Sequence, residues 1–114
     1  MIYCVEITAA FNTAQRRDNV LGILQNYVAQ FAADAFHPFQ GPQAYDAAYK
    51  GWANAVACTM KLRTQANRDA IWADIQANAA GPGAPTKGVA RRWDAALDVD
   101  LSALVENDST LQFP

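Results

Sequence analysis

Polar and apolar residues alternate along "IYCVEIT" (2–8), with Tyr3, Val5 and Ile7 pointing one way and Ile2, Cys4, Glu6 and Thr8 the other. A period of two in β-branched and aromatic residues predicts a strand. From Asn12 or Thr13 the period changes: Val20, Leu21, Leu24, Tyr27, Val28 and Phe31 recur at helical spacing. That stripe predicts an amphipathic helix of about six turns. Gly22, inside it, either weakens the helix by about 1 kcal/mol relative to alanine or permits close approach to a sheet.

Alternation returns in "WANAVACTMKL" (52–62). Trp52, Asn54, Val56, Cys58, Met60 and Leu62 take one face, and Ala53, Ala55, Ala57, Thr59 and Lys61 the other. "TQANRDAIWADIQANAA" (64–80) follows as a helix, with Thr64 as N-cap and Ile71, Trp72 and Ile75 on the buried stripe. Gly81 and Pro82 stop it at the head of "GPGAPTKG" (81–88). "VARRWDAALDVDL" (89–101) then reads as a long strand. Val89, Trp93, Ala95, Leu97, Val99 and Leu101 share one face; Arg92, Asp94, Asp98 and Asp100 share the other. "SALVEN" (102–107) is expected to form one last helical turn.

The segment 34–51 is interrupted by Pro38, Gly41 and Pro42. Prolines belong on edge strands, so an edge strand is expected around Gln43–Tyr49. A hairpin turning at Lys50–Gly51 and a short helix over "DAAYKGW" are the alternatives.

A shift of 51 positions aligns the two halves of the chain. It pairs Val5 with Val56, Thr8 with Thr59, Thr13 with Thr64, Arg17 with Arg68, Asp18 with Asp69 and Gln25 with Gln76. Amphipathic periodicity does not force the threonine, arginine–aspartate and glutamine matches, so a strand–helix unit occurs twice. With this β-α-β-β-α-β order the chain resembles ferredoxin-like α+β domains, including the dimeric α+β barrel group, from Ile2 to about Leu101. The resemblance is one of architecture. It implies an antiparallel sheet with two helices on one face.

At 114 residues the chain is expected to be one domain, 1–114. Its 52% hydrophobic and 18% charged residues give the balance of a packed globule. A net charge of −2 offers no footprint for nucleic acid. No apolar run approaches the roughly 20 residues that span a bilayer. "MIYCVEITAA" lacks a basic start and carries Glu6, unlike a signal peptide. A cytoplasmic location is therefore expected, with Cys4 and Cys58 as reduced, buried thiols on opposite faces of the sheet.

His37, the single histidine, lies in "FHPFQGPQAY" (36–45). With no second histidine and the cysteines apart, no metal site is predicted. No cofactor is implied either: "GPGAPTKG" runs from helix to strand, the reverse of a phosphate loop, and its prolines lack N–H groups. The face of the sheet away from the helices is more informative. It is expected to present Cys4, Glu6 and Thr8 beside Ala53, Ala55, Ala57 and Thr59, with Arg92, Asp94, Ala96 and Asp98 from the last strand. Glu6 is expected to pair with Arg92 or Lys61. Small residues at the centre and charges at the margin are the plan of an interface.

Two functional readings follow. The favoured one is a non-catalytic interaction domain that forms a homodimer through Cys4, Ala53, Ala55, Ala57 and Ala96. The alternative is a small-molecule binder or enzyme of the dimeric α+β barrel type, with a cavity on the same face. Glu6, His37, Tyr45, Tyr49 and Arg92 are its candidate ligand-binding groups, and no spacing ties them into a reaction geometry.

Overall fold

The structure is a computed structural model that describes residues 1–36, 40–45, 52–95 and 105–114. Among these residues, five strands and two helices follow one another as β1 (Ile2–Ala10), α1 (Ala14–Gln30), β2 (Gln40–Tyr45), β3 (Ala55–Leu62), α2 (Gln65–Ala77), β4 (Lys87–Ala95) and β5 (Val105–Phe113). A short 3-10 turn at Ala32–Asp34 follows α1. The strands form one sheet in the order β2-β3-β1-β4-β5, and every neighbouring pair is antiparallel.

β1 lies at the centre, between β3 and β4. Ile7 pairs with Cys58 on one side and Ala90 on the other. Val5, Ile7 and Ala9 join Val56, Cys58, Met60 and Leu62 in a core that also holds Leu24 of α1 and Ile71 and Trp72 of α2. Both helices therefore cover the same face of the sheet. Each fully buried side chain of this kind contributes about 1.5–3 kcal/mol. The result is an α+β arrangement compatible with a ferredoxin-like fold, to which β5 adds a fifth strand.

The helix starts are built differently. Thr13 caps α1 as its threonine suggests, its Oγ1 accepting from Arg16 N at 3.1 Å. Thr64 holds the equivalent place before α2 without capping it. Its N–H and hydroxyl donate instead to the Asp34 carboxylate at 3.1 and 2.7 Å, and Asn67 Nδ2 donates to the same group at 3.1 Å. Desolvation pushes the Asp34 carboxyl up, but the hydrogen bonds from Thr64 and Asn67 outweigh it and hold the group below its ordinary value. Asp34 thus ties the end of the first unit to the start of the second.

Several expectations are corrected. Arg92 and Asp94 lie on the helix side of the sheet, because Val5 pairs with Arg92 and Tyr3 with Asp94. The open side of β4 carries Val89, Arg91 and Trp93 beside Thr8, Glu6 and Cys4. Large apolar Trp93 invites placement under the helices, yet it serves a second, smaller core with Ile2, Cys4 and Ala95. β3 begins at Ala55, and Ala53 is exposed in the bend before it; Asn54 there has φ 55°, off the extended path. The expected helical turn at 102–107 gives way to β5 from Val105 onward, with 102–104 outside the described residues. An edge strand does precede β3, at Gln40–Tyr45; residues 46–51 lie outside the described set. Gly22 has open space beside it, so close approach is not its role. Close approach of backbones occurs at Gly88 instead. Its φ is +124°, and a Cβ would overlap the Thr8 carbonyl oxygen and the Ala9 Cα.

Candidate functional site

The open face of the sheet is crossed by one polar row. Thr59 of β3 sits opposite Glu6 of β1, and Glu6 opposite Arg91 of β4. Thr59 Oγ1 donates to Glu6 Oε2 at 2.9 Å. Arg91 donates from Nε and Nη2 to the two carboxylate oxygens of Asp108 on β5, both at 2.8 Å. That fork-on-fork pairing fixes orientation as well as charge. The hydrogen bond to Asp108, with the Asp108 and Glu6 charges, holds the Arg91 guanidinium above its ordinary value despite some desolvation. The same bond holds the Asp108 carboxyl below its own.

The row divides the face into two ends. At one end Ile2, Cys4, Trp93 and Ala95 form a second buried cluster, with Phe36 packed against it. Arginines lie over its aromatic rings, Arg91 at 4.4 Å from the Trp93 centroid and Arg63 at 4.9 Å from Phe36. Burial pushes the Cys4 thiol up to about 11, against the opposing pull of Lys61 and Arg68. Cys58, on the helix side, is pushed up to about 12 by burial. Burial thus disfavours the thiolate form of both at neutral pH.

At the other end Ala57, Thr8 and Val89 stand side by side on β3, β1 and β4, all half-buried. Beyond them a shallow recess of ≈ 450 Å³ is lined by Thr8, Val89, Lys87, Gln112, Trp52 and the C-terminal Pro114, among others.

The helix side holds a different set of charges. Arg68 of α2 is 1% exposed. Its Nη2 is 2.7 Å from Asp94 Oδ1, and its Nη1 donates to the carbonyls of Trp93 at 2.8 Å and Cys4 at 3.3 Å. Its Nε donates to Asp69 at 2.7 Å, and Tyr3 lies beneath the guanidinium at 5.4 Å. The β4–β5 register shifts between Arg92 and Asp94, the position of Trp93. Arg68 thus takes up a carbonyl at the irregularity in the ladder. Arg92 Nη1 donates to the other side of the pair, Asp69, at 3.3 Å.

Of the candidate ligand-binding residues, Glu6 is on the open face and Arg92 is on the opposite one. Tyr45 pairs with Ala55 in the β2–β3 ladder. His37, Tyr49, Ala96 and Asp98 lie outside the described residues. Of the candidate interface residues, Cys4 and Ala55 are fully covered within the protomer, and Ala57 is half-buried. Glu6 is joined to Thr59 and faces Arg91, rather than Arg92; Lys61 shares its face, opposite Cys4.

Sequence reasoning missed Arg91, Asp108, Arg68 and the partner role of Asp94. A signal for the last two was present. Tyr45-Asp46-Ala47-Ala48 and Trp93-Asp94-Ala95-Ala96 repeat as aromatic-Asp-Ala-Ala, one after each Arg-Asp helix. The local arginine–aspartate pair also recurs, Arg17 to Asp18 at 2.7 Å and Arg68 to Asp69 at 2.7 Å. Nothing in the strand pattern pointed to Asp108.

Among the described residues no group of three or more His, Cys, Asp and Glu is placed to hold a metal ion. No described helix is long and apolar enough to cross a membrane. No protein-family model, curated protein or solved structure matches the chain.

Proposed function

We propose that the chain is a non-catalytic interaction domain, a ferredoxin-like unit extended by β5, that forms a homodimer through the open face of its sheet. The observation that carries this reading is the strip Ala57–Thr8–Val89, half-buried and made of small side chains, on the face that neither α1 nor α2 covers. Small side chains let two sheets approach closely, and a surface meant only for water carries longer polar groups.

The charges beside the strip support a two-fold pairing. Lys61, Lys87 and Arg91 stand on the same face as Glu6 and Asp108, so a copy rotated about a two-fold axis can set acid against base. Apolar centre and polar margin is the usual interface plan. Burial disfavours both thiolates, and the buried Arg68–Asp94 pair joins α2 to β4. Both facts favour an interaction role over chemistry. In this reading Cys4 and Ala55 form the floor beneath the contact, and Ala57 is the alanine that touches the partner.

Light-scattering mass during gel filtration tests the proposal. Ala57→Arg and Val89→Arg should each convert a dimer to a folded monomer, while Ile23→Arg, on exposed α1, should leave the dimer unchanged. A dimer that survives both strip variants contradicts the reading. One observation favours a second reading, small-molecule binding on the same face: the recess that places Trp52 and Lys87 together. It requires a wild-type monomer that binds an anionic fluorophore such as 8-anilinonaphthalene-1-sulfonate and loses it on Lys87→Glu.

A further inference from the structure

Between α1 and α2, on the covered side of the sheet, a cleft of ≈ 200 Å³ opens to solvent. Its walls and floor include Ile7 of β1, Leu24 and Tyr27 of α1, Ile75 of α2 and Phe113 of β5. Two charged side chains also line it, Arg16 from α1 and Asp74 from α2.

Arg16 is held in place. Its Nε donates to the Gly83 carbonyl at 2.6 Å, and its guanidinium carbon lies 6.0 Å from the centre of the Phe11 ring. Its two Nη groups have no hydrogen-bond partner among the described residues. Asp74 is exposed, and its carboxylate likewise has no partner there; Asn78 Nδ2 is engaged with the Asp74 backbone carbonyl at 2.8 Å. One cation and one anion thus border the same small apolar cleft without bonding to each other.

We propose that this cleft binds a free apolar α-amino acid of leucine or phenylalanine size. The carboxylate would sit on the Arg16 Nη pair and the ammonium on Asp74, with the side chain over Ile7, Leu24 and Phe113. Size selects this class first. Pockets for drug-sized ligands start at roughly 300 Å³, so this cleft takes an occupant on the order of ten non-hydrogen atoms. Charge selects it second. An apolar carboxylate would leave Asp74 facing an anion, and an apolar amine would leave Arg16 facing a cation. A zwitterion satisfies both from adjacent atoms, and charge-assisted hydrogen bonds give each end its discrimination. The site is on the opposite side of the sheet from the dimer face and does not depend on dimerisation.

Isothermal titration calorimetry of the intact chain with L-leucine, L-phenylalanine, 4-methylpentanoate and 3-methylbutylamine tests the proposal. The last two are leucine without its ammonium and without its carboxylate. Saturable binding of at least one amino acid is expected, with each truncated analogue of leucine weaker by roughly tenfold or more when leucine is the ligand. Asp74→Asn should weaken the amino acid by a similar factor and leave 4-methylpentanoate unweakened. Arg16→Gln should do the converse for the amine; because Arg16 also holds the Gly83 loop, thermal melting is its folding control and Asp74→Asn carries the decision. Absence of binding by either amino acid at roughly 10 mM overturns the proposal. So does 4-methylpentanoate binding as tightly as leucine, or an Asp74→Asn variant with unchanged amino-acid affinity.

Discussion

On the helix side of β4, Asp94 meets Arg68 at 2.7 Å with side chains 5% and 2% exposed; on the open side, Arg91 meets Asp108 at 2.8 Å with 36% and 44% exposed. The chemistry of the two pairs is the same and their lengths are nearly equal. Their surroundings differ, and that difference assigns their roles. The covered guanidinium is surrounded by carbonyls, a ring and two carboxylates, so its position is over-determined. Desolvation makes such a pair costly to break even where its net contribution to stability is small. The exposed pair is screened by water and holds a surface in shape without deciding whether the chain folds.

The largest effect should come from breaking the covered pair. Asp94→Ala is expected to destabilise the fold by about 3–5 kcal/mol, measured by urea unfolding, because it leaves the Arg68 Nη2 group buried without its carboxylate. An Arg68→Met, Asp94→Leu double variant should recover most of that loss. Little loss on the single change would erase the contrast between the faces. Next comes Ile71→Ala in the core beneath α2, expected to cost about 2–5 kcal/mol.

The thiols sharpen the comparison from both faces at once. With Cys4 at about 11 and Cys58 at about 12, native protein near pH 8 should react with a thiol reagent only as fast as it unfolds. Denatured protein prepared without reductant should release two thiols, since both cysteines are free. Rapid labelling of Cys4 in the native state would mean that the open-face cluster is not closed.

The smallest effect is reserved for the exposed pair. Arg91→Gln should cost below about 1 kcal/mol at neutral pH. Asp108 has a folded pKa below its ordinary 3.8, so its contribution is complete above that value and is lost as pH falls through the folded one. Asp34 titrates in the same sense from 3.8. Asp108→Asn should therefore flatten part of the stability decline below pH 3.8, and an unchanged acid slope would contradict its assignment.

The strands and helices with strong periodicity were legible from sequence. Val5 and Ile7, Val56 to Leu62 and the stripes on both helices led directly to the core, because burial on one face enforces the period. β4 was legible as a strand, but its faces were assigned the wrong way round. Trp93 and Ala95 are apolar on the open side, and Arg92 and Asp94 are polar on the covered side, where Arg68, Asp69 and Ser109 receive them. A polar network under the helices inverts the pattern that hydrophobic reading relies on. β5 was missed because "VENDST" (105–110) is polar and turn-forming in composition, and only Leu111 and Phe113 keep the apolar alternation. Of the small residues expected on the open face, Cys4, Ala55 and Ala57 lie there, and the chain covers the first two itself. Ala53 stands in the bend before β3, and Ala96 lies outside the described residues.

The central claim is that the open face pairs with a second copy, and sedimentation velocity of the unmodified chain across a concentration series tests it most directly. A mass of twice 12.4 kDa at high micromolar concentration, falling toward 12.4 kDa on dilution or on Val89→Arg, is the predicted result. A wild-type chain that stays at 12.4 kDa throughout the series contradicts the account.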